Sequence, residues 1–297
     1  EPVYVVEGWE YSKLIGNLDI KFSKDGIVES IKGTPVIPYH LDSTFQRKDA
    51  NGNKYIPTGE EREQILKTLA NTKYFKIAKA DPKASLILEK FKKEKKLLGD
   101  KVVGVISGNV MPGGSANRIP NTANPKGSIA TRFVAETMLT QMRSFGKQSH
   151  IDMTIQNAGG VRQDIKLGEM TYNDAYALLP FGNTLYLLKM KGSEVKQVIE
   201  DALDFALVGG STGAFPYAAG MRYEANQYKD ANGKRVIKME VQNEETGVWE
   251  PIQDDKMYIV GTNAYVAKGK DGYKTFGEID KTRGGEDTFL PDAESLI

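Results

Sequence analysis

Hydrophobic and polar positions alternate from the start of the chain. VYVVEG, GNLDIKFS and IVESIKGTPVIPY are short alternating stretches split by Gly, Asp and Pro, which predicts a β-rich region over residues 1–45. KDANGNKYIPTG then reads as a polar loop and EEREQILKTLANTKYF as a helix. Asp81-Pro82 predicts a helix start, a capping carboxylate followed by Pro at the first helical position. The helix it opens is apolar at Leu86, Ile87, Leu88 and Phe91 and strongly basic beyond, a solvated face or a linker between folded regions.

The pattern changes near residue 99. KVVGVIS predicts a strand and MPGGSANRIPNTANPKG a Gly-, Pro- and Asn-rich loop. Ile129, Phe133, Val134, Met138, Met142 and Phe145 follow at helical spacing, with Gly146 as the stop. IDMTIQ is expected to be a strand, TYND a Thr-x-x-Asp capping box opening a short helix, and NTLYLLKMK a strand. SEVKQVIEDALDFAL predicts an amphipathic helix with Val195, Val198, Ile199, Ala202 and Leu203 inward. A Gly-rich loop VGGSTGAFPYAAG, the strands MRYEA, VIKMEVQ and KMYIVGT, and a last loop NAYVAKGKDGYKTF complete the order. Strands and helices mix without strict β-α-β alternation, so the expected class is α+β rather than doubly wound.

Composition narrows the chemistry. The chain has 297 residues, 40% of them hydrophobic, enough for one large domain or two ordinary ones. Forty basic and 39 acidic residues leave a formal charge of +1, which argues against nucleic acid as the main partner. No apolar run approaches the ~18 residues of a membrane span. With no Cys, disulfides, thiolate zinc sites and thiol nucleophiles are excluded. The two histidines, His40 and His150, read as surface or structural residues, so the chain is poorly stocked for a two-metal centre. The abrupt start in EPVYVVEGW is expected of a mature product or a fragment.

Three loops could carry binding chemistry. In NAGGVR, Gly159 and Gly160 would permit positive φ and close approach of a ligand, Asn157 can donate and accept, and Arg162 offers a planar fork for phosphate or carboxylate. Taken alone, the motif is as well explained by a turn with a surface Arg. In LLPFGNT, Phe181 sits between Pro180 and Gly182, as a stacking platform or folded back on the core. In NAYVAKGKDGY, Tyr265 and Tyr273 flank Gly269-Lys270-Asp271-Gly272; a ring with a carboxylate suits a nucleoside base and its ribose hydroxyls.

In their order, NAGGVR, LPFGN, GAFPYAAG and NAYVAKGKDGY resemble the C-terminal substrate-binding domain of the 5′-nucleotidase family, with a lean toward its bacterial NAD nucleotidase branch from GKDGYKTF and GNLDIKFSKDG. The resemblance implies three parts: residues 1–80 as the end of a metallophosphatase domain, 81–98 as a bridging helix, and 99–297 as a mixed-sheet nucleotide-binding domain. It implies that Asn157 approaches the base, that Phe181 and Tyr265 stack on its two faces, that Asp271 binds ribose hydroxyls, and that Arg162 and Arg118 bind phosphate beside Gly159 and Gly160. Three positions depart from the family's usual pattern: Ala158 and Lys270 replace glycines, and Tyr265 replaces a Phe. The family's metal-binding motifs, Gly-Asn-His-Asp/Glu and Gly-His-x-His, do not occur. No catalytic residue, metal ligand or cofactor is therefore expected here; two divalent ions are expected in an N-terminal catalytic domain that acts as partner. The expected whole is a periplasmic or extracellular nucleotidase acting on AMP, NAD or a UDP-sugar, with this chain binding but not hydrolysing. A non-catalytic interaction module is the alternative.

Overall fold

The computed structural model describes residues 13–42, 45–50, 54–144 and 150–297. The expected strand VYVVEG and the helix-ending Phe145 and Gly146 lie outside the described residues. The chain divides into two compact units, Glu1–Lys92 and Lys93–Ile297.

In the first unit, β1 (Ile15–Phe22) and β2 (Val28–Tyr39) form an antiparallel pair. The two-residue strands β3 (Arg47–Lys48) and β4 (Lys54–Tyr55) pair with each other. Helix α1 spans Gly59–Ala70, shorter than expected, because NTKYF turns and enters strand β5 (Phe75–Ile77), parallel to β2. Helix α2 (Pro82–Gly99) runs across the division between the units. Its start follows the sequence: the Ala84 N–H donates to the Asp81 carboxylate at 2.8 Å. Its apolar positions Leu86, Ile87, Leu88 and Phe91 are all exposed.

The second unit holds β6 (Val102–Ile106), α3 (Ile129–Ser144), β7 (Met153–Asn157), β8 (Gly168–Thr171), α4 (Tyr172–Leu178), β9 (Thr184–Lys191), α5 (Gly192–Leu207), β10 (Pro216–Ala219), β11 (Met221–Ala225), β12 (Val236–Gln242), β13 (Trp249–Pro251), β14 (Met257–Asn263), α6 (Ala264–Ala267), α7 (Lys274–Arg283) and β15 (Glu286–Pro291). Its central sheet is mixed, in the order β10-β7-β14-β9-β15, with β7 and β14 parallel and the other pairs antiparallel. Alternation along β9 splits the core between the sheet's two faces. Tyr186, Leu188 and Met190 pack with α5 and α7, whereas Leu185 and Leu187 pack with α3 and α4. The inward positions expected of α5 are all buried, as are Val134, Met138 and Met142 of α3. Thr171 and Asp174 form the expected capping box at α4.

Several elements sit where sequence pattern gives loop or tail. The Gly-rich stretch contains edge strand β10, and the last loop contains α6 and the start of α7. The tail contains β15 and a 3-10 turn at Asp292–Leu296. Their short apolar stretches lie between glycines and prolines, so no periodicity develops; sheet pairing and packing on the core supply the order.

Strand direction places the loops. Chains leave one end of the sheet at Asn157 and Asn263, the last residues of parallel β7 and β14. Antiparallel β9 and β10 enter at that same end, since Leu185 lies opposite Asn263 and Pro216 opposite Asn157. All four motif segments, 157–162, 180–183, 213–216 and 263–273, therefore gather at one sheet edge.

Candidate functional site

Buried amides build the floor of this edge. Asn157 is only 3% exposed, and its Nδ2 donates to the Asp271 carboxylate at 2.9 Å. Fully buried Asn263 donates from Nδ2 to Asn157 Oδ1 at 3.0 Å and to Gln156 Oε1 at 2.9 Å, and its Oδ1 accepts the Val266 N–H at the start of α6. These bonds cross between neighbouring parallel strands, fixing the Asn157 amide before any ligand arrives. Asn263 had no assigned role in the sequence reading, although it opens the motif and is a preferred residue type before a helix. Asp271 has φ +52°, a left-handed conformation that Asp tolerates better than most residues.

Gly159 and Gly160 take no positive φ, contrary to the sequence expectation. Their requirement is space. A Cβ on Gly159 would sit 3.0 Å from the Gly213 Cα, and one on Gly160 would sit 2.3 Å from Gln156 Nε2. Gly159 lets the 158–160 and 212–214 turns close on each other, and Gly160 leaves room for the Gln156 amide.

The arginines converge on the same edge. Arg162 donates from Nη1 to the Gly159 carbonyl at 3.2 Å, and its guanidinium lies 5.4 Å from the centroid of the Phe181 ring. The Arg118 loop is docked against the 159–164 segment, where the Gly113 N–H donates to the Asp164 carboxylate at 2.7 Å. Burial and the neighbouring Arg162 charge lower the Arg118 pKa, partly opposed by Asp271. Arg118 Nη1 reaches Thr212 Oγ1 at 3.5 Å, and Nε is buried without a partner. Two guanidiniums thus share a corner with one carboxylate, an arrangement that favours an anion.

The rings differ in setting. Phe181 is 52% and Tyr265 44% exposed, so each ring presents an accessible face. The Tyr265 hydroxyl donates to Asp271 Oδ1 at 3.4 Å; burial, then the Asp271 charge, raises its pKa. Tyr273 is excluded from the site: it is fully buried, stacks on Phe276 and donates to the Ala214 carbonyl at 2.8 Å. Lys270 is exposed. The structure brings Asn157, Asp271, Tyr265, Arg118, Arg162 and Phe181 into one linked cluster, with the two glycines beneath it.

Two features lie apart. A cavity of about 710 Å³ lined by Ile119, Pro120, Leu203, Phe215, Tyr217 and Arg222, among others, contains none of these side chains. Neither histidine is expected from sequence to pair with a carboxylate two to four residues onward, yet both do at two: His40 Nδ1 is 3.3 Å from Asp42 and His150 Nε2 2.9 Å from Asp152. Among the described residues no group of three or more His, Asp or Glu side chains could hold a metal ion. The resemblance places its two divalent ions in an N-terminal catalytic domain, not among these residues.

The chain is 55% identical to the NAD 5′-nucleotidase of Haemophilus influenzae and 54% identical to a probable 5′-nucleotidase of Treponema pallidum, each over 100% of this chain and 49% and 50% of those proteins. The solved structure of Haemophilus influenzae NAD nucleotidase superposes with a TM-score of 0.64 at 54% identity, covering 100% of this chain and 52% of that one. The chain spans about half the length of the curated relatives it matches. Residues 102–278, which include every residue of the cluster, match the 5′-nucleotidase C-terminal domain, and the chain belongs to the 5′-nucleotidase family.

Proposed function

We propose that the cluster at the sheet edge is a nucleotide cradle, and that this chain is the substrate-holding part of a metal-dependent nucleotidase that hydrolyses phosphate esters or anhydrides. The observation that carries this is the Asn157–Asp271 bond, which ties an amide able to read a base edge to a carboxylate able to accept from ribose hydroxyls. Phe181 and Tyr265 supply exposed ring faces for a base, and Arg118 and Arg162 a cationic corner for phosphate. AMP, NAD and UDP-sugars all present this base–ribose–phosphate unit. The names of the 54–55% identical relatives favour NAD or a 5′-mononucleotide.

In this reading the chain's residues bind and orient. Asn157 holds the base, Asp271 fixes the ribose, and the arginines aim the phosphate out of the cradle. The metal ions that would generate the attacking hydroxide belong to another part of the parent protein, which acts in the periplasm or outside the cell. Calorimetric titration of the chain with adenosine tests the proposal. Saturable binding that improves with a 5′-phosphate is expected; no heat at millimolar adenosine would overturn it.

A further inference from the structure

The loop carrying Phe181 is short of internal support. Phe181 and Gly182 are exposed, and Gly182 turns the chain at φ +62°. Beside the Arg162 N–H bond to the Leu178 carbonyl at 3.0 Å, one turn more than a hundred residues away in sequence, Asp292–Leu296, contacts the loop on both flanks. On the exit flank, Pro291 lies opposite Thr184 in the sheet, the Asp292 N–H donates to the Asn183 carbonyl at 2.8 Å, and Asn183 Nδ2 reaches Asp292 Oδ2 at 3.4 Å. On the entry flank, Glu294 Oε1 accepts from Tyr172 at 2.5 Å and from Tyr176 at 2.7 Å, two stacked rings of α4, the helix that runs into Pro180. The turn is itself pinned: Ala293 is buried, and Ser295 reaches Thr137 of α3 at 3.3 Å.

Asp292 is the unusual member. It is 2% exposed, yet its Oδ1 has no hydrogen-bond partner among the described residues. A buried acceptor without a donor is destabilising, and a neutral residue would avoid the charge. The position keeps a carboxylate where, among the described residues, only Asn183, two residues past Phe181, makes use of its side chain from outside the turn.

We propose that the 292–296 turn is the positioning element of the stacking loop, with Asp292 as a positioning residue that sets Phe181 through Asn183 and Glu294 setting the same loop through α4. The inference rests on the nucleotide-cradle reading for what Phe181 does, but not for what holds the loop in place.

The test uses the full chain, with Asp292→Ala and Asp292→Asn made in the native and Phe181→Ala backgrounds. Two quantities are read: adenosine affinity by calorimetry and amide hydrogen exchange over residues 180–184. Asp292→Ala should weaken adenosine about five- to tenfold, the coupling typical of contacting residues, and speed exchange in the loop. Asp292→Asn, which keeps an acceptor for Asn183, should restore both. In the Phe181→Ala background Asp292→Ala should change affinity less than about twofold, since its effect passes through the ring. Unchanged loop exchange in Asp292→Ala, or an equal affinity loss with and without Phe181, would overturn the proposal. If adenosine fails to bind the native chain, the cradle reading falls while loop exchange still decides the positioning role. Should Asp292→Ala not fold, Glu294→Ala must speed exchange at 180–184 from the other flank, and its failure to do so would count against the turn.

Discussion

The loops after β7 and β14 meet through buried amides, whereas the loop before β9 meets the site through an exposed ring. The first wall is fixed by bonds among Gln156, Asn157, Asn263 and Asp271, three of these residues being essentially buried. The second relies on the Arg162 guanidinium over Phe181 and on the turn at Asp292–Leu296. A buried polar network has discrete geometry and tolerates no missing member. An exposed ring loses little by shifting, so in the proposed cradle it would follow bases of different size. The contrast assigns stability to one wall and adaptability to the other.

The comparison can be broken at several points. Asn263→Ala removes three hydrogen bonds from the buried wall, so a stability loss of about 3–4 kcal/mol is expected; denaturant unfolding with a loss under about 1 kcal/mol would show the network to be dispensable. The next effect is pH-dependent. Burial raises the Asp292 carboxyl from its ordinary 3.8 to about 6. The folded chain then holds this proton more tightly than the unfolded chain. Its contribution to stability is fully present below pH 3.8 and is lost as pH rises through about 6. Asp292→Asn should therefore be more stable than the native chain at pH 7, by up to about 3 kcal/mol, with the difference shrinking toward pH 4. Thermal midpoints of the two proteins across that range check the sign.

On the adaptable wall, Phe181→Ala should cost about 1–3 kcal/mol of adenosine binding and leave the melting temperature within about 1 °C of the native value, because surface truncations of this kind are nearly neutral for stability. A fall in melting temperature of several degrees would mean that Phe181 is structural and that the two walls do not differ. The smallest effect is expected for Tyr265→Phe, which keeps the ring and deletes one long hydrogen bond to Asp271. A change of about 0.5–1 kcal/mol in adenosine affinity is expected, and a tenfold loss would make the hydroxyl itself a ligand contact.

Local chemistry was legible where it is self-contained. The Thr171–Asp174 capping box, the Asp81-Pro82 start and the apolar stripe of α5 depend on residues within a few positions of one another, and each is found where expected. The order of the loop motifs was equally readable and pointed to the 5′-nucleotidase family. Elements with little local signal were not legible: β10, β15 and α7 are held by partners distant in sequence.

Residue types at the sheet edge were thus written in the sequence: amides, a carboxylate, two arginines and two rings, spread over more than 150 positions from Arg118 to Asp271. The tertiary structure alone decided which of them meet. Parallel pairing of β7 and β14, with β9 and β10 running against them, brings four remote segments to one edge. It buries Asn263 and Tyr273, leaves Phe181 and Tyr265 open, and sets Asp292, bonded to Asn183, behind the loop that carries Phe181. Burial and strand direction are properties of the whole sheet, and no window along the chain contains them.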